Sequence, residues 1–382
     1  MTKVSVLKCG EYTDSDVTSV IAESLNSIFD LSSLLKKGMT VAVKPNLIIP
    51  ADPDRCATVH PTVIRAVVEI VRSYGAKPLI VESPGGFYSV AVLKKLYETT
   101  GLAKVLNDMP EILNYDTSVK EVSFETDRGR RNVFILKPLA DADLVISISK
   151  LKTHAMMIYT GAVKNMFGSI AGFEKSSYHL MKKDYDVFAN ELIDIFLACS
   201  PKINIMDAIY GMEGEGPTSG DPRKIGYLLA SSDAFSLDSA AMDLIHMDKS
   251  ISYIYKNAVS RGFDTDYEFI GEDPMKSNIY DFKLPKTSNE NKHAHSKILD
   301  FILGSAKSKP FFIYDKCIGC GDCVRNCPAK VIKMINGKPY ADEKNCIKCY
   351  CCAELCRSSA IEIKKPMLIK ALTLRSRLNR KH

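Results

Sequence analysis

Eight cysteines near the C-terminus repeat one spacing twice, and no other feature constrains this chain as strongly. In each copy three cysteines recur every third residue, and a fourth follows four residues after the third. Corresponding cysteines of the two copies are 29 residues apart. Such short loops bring three thiolates round one face of a metal centre. The two copies are Cys317, Cys320, Cys323 and Cys327, then Cys346, Cys349, Cys352 and Cys356.

This spacing is similar to that of bacterial two-cluster ferredoxins, in which the fourth cysteine of each copy binds the other copy's cluster. It predicts two 4Fe–4S clusters in a ferredoxin-type domain at residues 310–364. One cluster is then held by Cys317, Cys320, Cys323 and Cys356, and the other by Cys346, Cys349, Cys352 and Cys327. The alternative is a pair of zinc sites, but these usually carry paired Cys-x-x-Cys hooks or histidines. Cys351 does not fit the spacing and is expected to be a free thiol.

The overall composition is that of a soluble globular protein, with 46% hydrophobic and 25% charged residues. Neither a secretory signal nor an apolar run long enough for a membrane helix is recognised in the sequence. Cluster thiolates need a reducing compartment, so we expect a cytoplasmic location. The formal net charge of +6 falls to about +2 once eight thiolates and two oxidised cluster cores are counted. This balance does not favour a nucleic-acid partner.

The C-terminal tail, residues 365–382, holds several lysines and arginines and no acidic residue, with leucines interleaved. It predicts a basic amphipathic helix after Pro366. One interpretation is a helix that packs on the protein or frays in solvent. The other is peripheral contact with an anionic membrane or an acidic partner.

Residues 1–303 alternate short apolar runs with helical patterns, which predicts an α/β domain with a mostly parallel sheet. A polar segment at 264–297 is expected to be a surface loop, and 304–309 a linker into the second domain. The predicted strands are Val4–Leu7, Thr40–Val43, Pro78–Val81, Asp143–Ile148, Ile203–Met206 and Tyr227–Ala230.

Polar residues follow several of these strands, where ligands collect in open parallel sheets. Together they predict an electropositive crevice for an anionic substrate or cofactor. The residues expected to bind it are Lys44, Asn46, Lys164, Asn165, Asp207, Gly214 and Gly216. Those expected to act in catalysis are Lys152, His154 and His60, with a histidine as proton carrier because its usual pKa is near neutrality. Taken singly, each of these lysines and histidines also fits a structural or solvated role, and the glycine loop at 211–220 also fits a tight turn.

The stretches that carry these residues resemble the domain of unknown function 362 family over roughly residues 1–250. The most specific parts are Lys164-Asn165-Met166-Phe167-Gly168 and the Glu213-to-Pro217 run. Members of that family are often fused to a two-cluster ferredoxin domain, so the resemblance implies an α/β fold and iron–sulfur clusters, without an assigned reaction. The family is also distantly similar to nickel-pincer lactate racemases, in which lysine and histidine hold the cofactor. Lys152, His154 and Lys164 are the only candidates for that role here.

Three classes of function remain open. The leading prediction is an iron–sulfur oxidoreductase that passes single electrons to an anion bound by the α/β domain. The second is a non-catalytic electron-transfer or assembly protein, whose α/β domain docks a redox partner protein or a small anion. The third is an isomerase-type enzyme with structural clusters.

Overall fold

The computed structural model describes residues 1–181, 184–288 and 308–364 of the chain. The tail at 365–382 and most of the linker at 304–309 lie outside the described residues. The amphipathic helix expected in the tail, and its contact with a membrane or an acidic partner, therefore stay predictions.

Fourteen strands are found in the described part of the chain, eight of them in one large sheet. They are β1 (Thr2–Lys8), β2 (Thr40–Pro45), β3 (Lys77–Ile80), β4 (Val119–Thr126), β5 (Gly129–Leu136), β6 (Leu144–His154), β7 (Ile158–Thr160), β8 (Ile203–Glu213), β9 (Asp221–Ser231), β10 (Tyr267–Gly271), β11 (Lys309–Phe312), β12 (Ile332–Ile335), β13 (Lys338–Ala341) and β14 (Ile361–Lys364).

Thirteen α-helical segments accompany them in the same ranges. They are α1 (Asp14–Ile28), α2 (Leu31–Leu34), α3 (Pro61–Ser73), α4 (Val90–Thr99), α5 (Leu102–Val105), α6 (Lys137–Ala140), α7 (Ala162–Asn165), α8 (Glu174–Met181), α9 (Tyr185–Cys199), α10 (Ala234–Leu244), α11 (Tyr253–Ser260), α12 (Asp322–Arg325) and α13 (Cys351–Glu354). None of the described helices is both long and apolar enough to cross a bilayer.

The large sheet has the strand order β10-β1-β9-β8-β6-β2-β3, and β7 folds back on β6. Four of the six neighbouring pairs in this order are parallel, which confirms the predicted α/β fold with a mostly parallel sheet. Strand β6 is buried along its whole length, as expected for a central strand covered on both faces. Parallel β2, β3, β6 and β8 therefore bring their carboxyl ends to one edge of the sheet.

Three features differ from the sequence-based expectations. The predicted loop at 264–297 contains strand β10, which pairs in parallel with β1; it is a half-exposed edge strand, so it lacks the apolar run of a central one. The hairpin of β4 and β5 was not predicted. Strand β8 continues to Glu213 because it pairs with β9, so Gly211 belongs to a strand and not to the predicted loop.

The ferredoxin-type domain lies against the α/β domain at the carboxyl-end edge of the sheet. The Thr218 hydroxyl donates to the Glu354 carbonyl at 2.7 Å, and the Tyr185 hydroxyl donates to the Lys348 carbonyl at 3.1 Å. Leu355 packs so closely on Gly85 that a side-chain β-carbon there would overlap it. These contacts place helical turn α13 over the strand ends.

Candidate active site between the two domains

The eight cysteines of the repeat line two separate cavities in the ferredoxin-type domain. The first cavity is lined by Cys317, Cys320, Cys323 and Cys356. The second is lined by Cys346, Cys349, Cys352 and Cys327. These are the two crossed ligand sets expected from the spacing, with all eight thiols unpaired. Four thiolates round each cavity fit the donor set of a 4Fe–4S cluster.

Cys351 lies outside both cysteine-lined cavities. It is 5% exposed and instead lines a pocket that it shares with residues of the α/β domain. Its neighbour Cys352 belongs to the second cluster cavity. One helical turn therefore separates a predicted cluster from the pocket, which we call the inner pocket.

The inner pocket has a volume of about 60 Å³ and lies between the two domains. The α/β domain contributes three lysines to its wall, and the ferredoxin-type domain contributes Cys351, Glu354 and Leu355. The lysines are Lys152 and Lys164, which are buried, and Lys175, which is partly buried. Convergence of several cations on one buried space favours an anionic ligand.

Lys152 leaves β6 and reaches across to the end of β2. Its Nζ donates to Asn46 Oδ1 and to the Ala57 carbonyl, both at 2.6 Å. An ammonium group has three N–H donors, so one remains for a ligand. Burial, reinforced by the charge of Lys164, lowers the pKa of Lys152 from 10.5 to about 7. Near neutral pH this side chain therefore exists in both protonation states.

Lys164, on the short helix α7, has no hydrogen-bond or ion-pair partner among the described residues. Its Nζ lies 5.7 Å from the centre of the Phe167 ring. Burial lowers the pKa of Lys164, while the negative charge of Glu354 acts in the opposite direction. All three of its N–H donors are available, so Lys164 is the strongest candidate to anchor an anion.

Lys44 stands behind the inner pocket as part of a satisfied buried ion pair. Its Nζ lies 3.0 Å from Glu82 Oε2 and donates to Asn165 Oδ1 at 3.2 Å. Asn165 in turn donates to the Ile148 carbonyl and the Ser147 hydroxyl. Lys44 and Asn165 therefore fix the frame of the site, and Asn165 also lines the pocket beside Asn46.

Lys175 was not singled out from the sequence, yet it lines the pocket from α8. Its Nζ donates to the Ser83 carbonyl at 2.7 Å, the Ser83 hydroxyl at 2.9 Å and the Pro84 carbonyl at 3.1 Å. Burial lowers its pKa to about 7. Because its three donors are already used, Lys175 mainly holds the loop after β3 in place.

His154 lies at the boundary between the domains, where its pKa is no longer near neutrality. Its Nδ1 accepts hydrogen bonds from the Met156 and Met157 amides, which places the proton of the neutral ring on Nε2. Nε2 points toward Glu354, whose Oε2 is 3.7 Å away. Burial, with the charge of Lys164 next, lowers the pKa of His154 well below its usual value. Burial thus disfavours the charged form of His154, and its role as a proton carrier stays a prediction.

His60 and Asp207 lie outside the pocket, in a second polar cluster. Asp207 accepts from the Lys150 ammonium at 2.9 Å and from the Tyr12 hydroxyl at 2.8 Å. His60 stacks on Tyr12 and caps helix α3, where its Nδ1 accepts from the Thr62 amide. The structure therefore does not bring His60 and Asp207 to the inner pocket, and the Asp207 carboxylate is paired with Lys150 instead.

The glycines of the 211–220 loop do not lie at one site. Gly216 and Pro217 line an outer cavity of about 190 Å³, together with His154 and Glu354. Pro217 reaches the inner pocket as well. Gly214 lines neither, so its predicted binding role has no support from the geometry. Pro217 is thus the residue by which the 211–220 loop contacts the inner pocket.

Glu82, Ser83, Lys175, His179 and Glu354 are the important residues that sequence reasoning missed. Glu82 and Ser83 follow β3 after one intervening residue, so the rule that identified Lys44 applies to them equally. His179 lines the pocket with a buried Nδ1 that lacks a partner among the described residues, and burial lowers its pKa to about 3. No sequence signal places His179 or Glu354 at this site.

Comparison with known families agrees with this architecture. A model of the domain of unknown function family DUF362 matches residues 41–243, and a 4Fe–4S dicluster domain model matches residues 309–357. The chain belongs to the DUF362 family. In this DUF362 protein the family match covers the strands that build the inner pocket, and the second match covers all eight cluster cysteines. The chain is thus an iron–sulfur protein with a 4Fe–4S domain.

Two relatives match parts of this DUF362 protein. A thylakoid-associated protein of Synechocystis sp. is 32% identical over 250 residues, which is 64% of this chain and 75% of that protein. A ferredoxin of Methanothermococcus thermolithotrophicus is 38% identical over 55 residues, which is 14% of this chain and 92% of the ferredoxin. Among solved structures, the lactate racemase apoprotein of Thermoanaerobacterium thermosaccharolyticum matches with 14% identity and a TM-score of 0.42. This match covers 65% of this chain and 58% of the racemase chain.

Proposed function

We propose that this protein is a cytoplasmic iron–sulfur oxidoreductase that binds two 4Fe–4S clusters and reduces or oxidises an anion held in the inner pocket. The observation that carries the proposal is the shared wall of the pocket. Lysines of the α/β domain form one side, and the turn that holds Cys352 forms the other. A bound anion is thereby placed next to the second ligand set. When bound, the clusters supply one-electron chemistry at this wall.

Lys164 and Lys152 divide the work of binding. Lys164 offers three free N–H donors, and Lys152 offers one that is already oriented by Asn46 and Ala57. Both charges lie in a buried space, where interactions with an anion are much stronger than in water. We assign Lys164 as the anchor of the anionic group and Lys152 as the second donor.

Lys152 also fits the role of a proton donor or acceptor. Acid–base catalysis is most effective when the pKa of the group lies near the working pH, and that of Lys152 is about 7. The Asn46 and Ala57 oxygens accept two of the N–H groups of its ammonium, so the direction of the third N–H group is fixed. The external electron source in this proposal is a one-electron carrier protein. It would approach the cluster bound by Cys317, Cys320, Cys323 and Cys356 from the side of Cys320, which is exposed to solvent.

The same lysine supports one alternative. A buried lysine with a pKa near 7 can move protons on a bound anion without any change of oxidation state. The protein is then an isomerase-type enzyme in which the clusters are structural. The two proposals differ in whether conversion of the substrate requires reduced clusters.

An anaerobic reoxidation assay tests the proposal. The full-length holoprotein is photoreduced, a panel of small carboxylates and phosphates is added, and the return of cluster absorbance is recorded with product analysis. We expect reoxidation by one class of anion, loss of it in Lys164→Met, and retention in the control Lys249→Met. Lys249 is half-buried in an ion pair with Asp243, away from the pocket.

Two results would contradict the proposal. Conversion of an anion by the fully oxidised protein at an unchanged rate would favour the isomerase. Equal reoxidation rates in the wild type and Lys164→Met would remove the inner pocket from the reaction.

A further inference from the structure

We infer that the ligand of the inner pocket carries its carboxylate or phosphate group on an apolar body, which leaves the pocket across an aromatic lip formed by Phe87 and Phe173. The inference rests on the proposed anion site and names the class of its substrate: amphiphilic organic acids or phosphate esters, rather than inorganic or highly polar anions.

The size of the pocket gives the first argument. Its volume is about 60 Å³, and about 10–15 Å³ on this scale holds one water. The space near Lys152 and Lys164 thus accommodates the anionic group and only a few further atoms. The remainder of any larger organic substrate must extend toward the mouth.

The chemistry of the wall gives the second argument. Four of the side chains that line the pocket are apolar: Ile48, Phe167, Pro217 and Leu355. Polar side chains such as Asn46, Ser83 and Glu354 line other parts of the wall. An apolar body can therefore pack on one part of the wall while the polar part holds the charged end. Apolar groups lose water favourably against such a surface.

Two aromatic residues next to the pocket also favour a ligand with an apolar body. Gly86 and Gly172 line the pocket, and the residues that follow them are Phe87 and Phe173. The two rings meet edge to face with their centres 4.7 Å apart, although they are 53% and 38% exposed. An exposed aromatic pair that follows two glycines of the pocket wall fits a ligand with a charged end and an apolar end.

Close contact between the two loops keeps this lip in place. A β-carbon at Gly172 would lie 3.0 Å from both the Gly86 carbonyl oxygen and Tyr88 Cβ. The Gly172 amide donates to the Ser83 hydroxyl at 3.0 Å, and Ser83 is also bound by Lys175. The lip is therefore built on the same hydrogen-bonded loop that borders the anion site.

Calorimetric titration of the full-length holoprotein tests the inference. The probes are acetate, butyrate and hexanoate, with methyl, butyl and hexyl phosphate as a second series. We expect the dissociation constant to fall about fourfold for each methylene that contacts the lip, from the free energy of burying one methylene. In the double variant Phe87→Ser/Phe173→Ser this dependence on chain length should largely disappear, while binding of acetate and methyl phosphate is kept.

Phe269→Ser is the matched control, since Phe269 is 42% exposed on edge strand β10. It should leave the dependence on chain length unchanged. Affinities that do not vary with chain length, in a protein that binds the short anions, would overturn the inference and leave the proposed anion site intact. Absence of binding by every probe, with Lys164→Met indistinguishable from the wild type, would overturn both.

Discussion

The pH dependence of anion binding follows directly from the environment of Lys152. Burial shifts its pKa from 10.5 to about 7, so about 90% of this side chain is charged at pH 6 and about 10% at pH 8. An anion binds the charged form. The affinity of the protein for the anion should therefore be about tenfold weaker at pH 8 than at pH 6.

The Lys152→Met variant isolates this contribution. A hydrogen bond to a charged group contributes roughly 1.5–3 kcal/mol, so the variant should bind a small carboxylate or phosphate about 10- to 150-fold more weakly at pH 6. At pH 8 most of the wild-type Lys152 is neutral, and the two proteins should differ far less. Cluster absorbance and the thermal midpoint report whether the variant folds, because Asn46 Oδ1 and the Ala57 carbonyl lose their donor.

Calorimetric titration measures the affinity of both proteins for the anion at pH 6, 7 and 8, and Lys249→Met is the control. If the wild type binds the anion equally well at all three values, Lys152 is not its protonated partner. If Lys152→Met keeps the full pH dependence, the titrating group is another one, such as Lys175, and the role assigned to Lys152 is refuted.

Three further predictions concern other parts of the chain. Cys351→Ser should keep its full iron content while Cys352→Ser loses iron, as measured by iron and sulfide analysis; equal losses would reject the ligand assignment. Glu82→Gln should lower the free energy of unfolding by about 3–5 kcal/mol, because it leaves the buried charge of Lys44 without its partner; chemical denaturation measures this, and a change below about 1 kcal/mol would contradict it. Truncation after Pro366 should abolish binding to anionic vesicles at low salt without altering cluster spectra; full-length protein that ignores such vesicles would refute membrane contact.

Much of the fold follows from local patterns in the sequence. Strands β2 and β6 are apolar runs that carry Lys44 and Lys152 near their carboxyl ends. The rule that ligands lie beyond parallel strand ends singled out both lysines, of which Lys152 lines the inner pocket and Lys44 stands behind it. Edge strand β10 was missed because only one of its sides pairs in the sheet, so its sequence stays half polar. The hairpin of β4 and β5 has a turn containing Gly129, which is a recognisable signal.

The candidate site was harder to predict where its residues depend on tertiary packing. Lys175 lies on α8, which follows no strand end, and Glu354 comes from the other domain. Lys175 reaches the pocket because it bonds the loop after β3, and Glu354 reaches it because α13 packs over the sheet edge. His60 illustrates the opposite case, because a residue near a strand end can serve as a helix cap instead.

Electron paramagnetic resonance of the photoreduced holoprotein tests the central claim, that the anion pocket adjoins the ligand set containing Cys352. Phosphate or a short carboxylate should shift the signal of one cluster only. That responding signal should be missing in Cys352→Ser, present in Cys320→Ser, and insensitive to the anion in Lys164→Met. A response confined to the cluster that Cys320 binds, or no response in protein shown by calorimetry to hold the anion, would contradict the account.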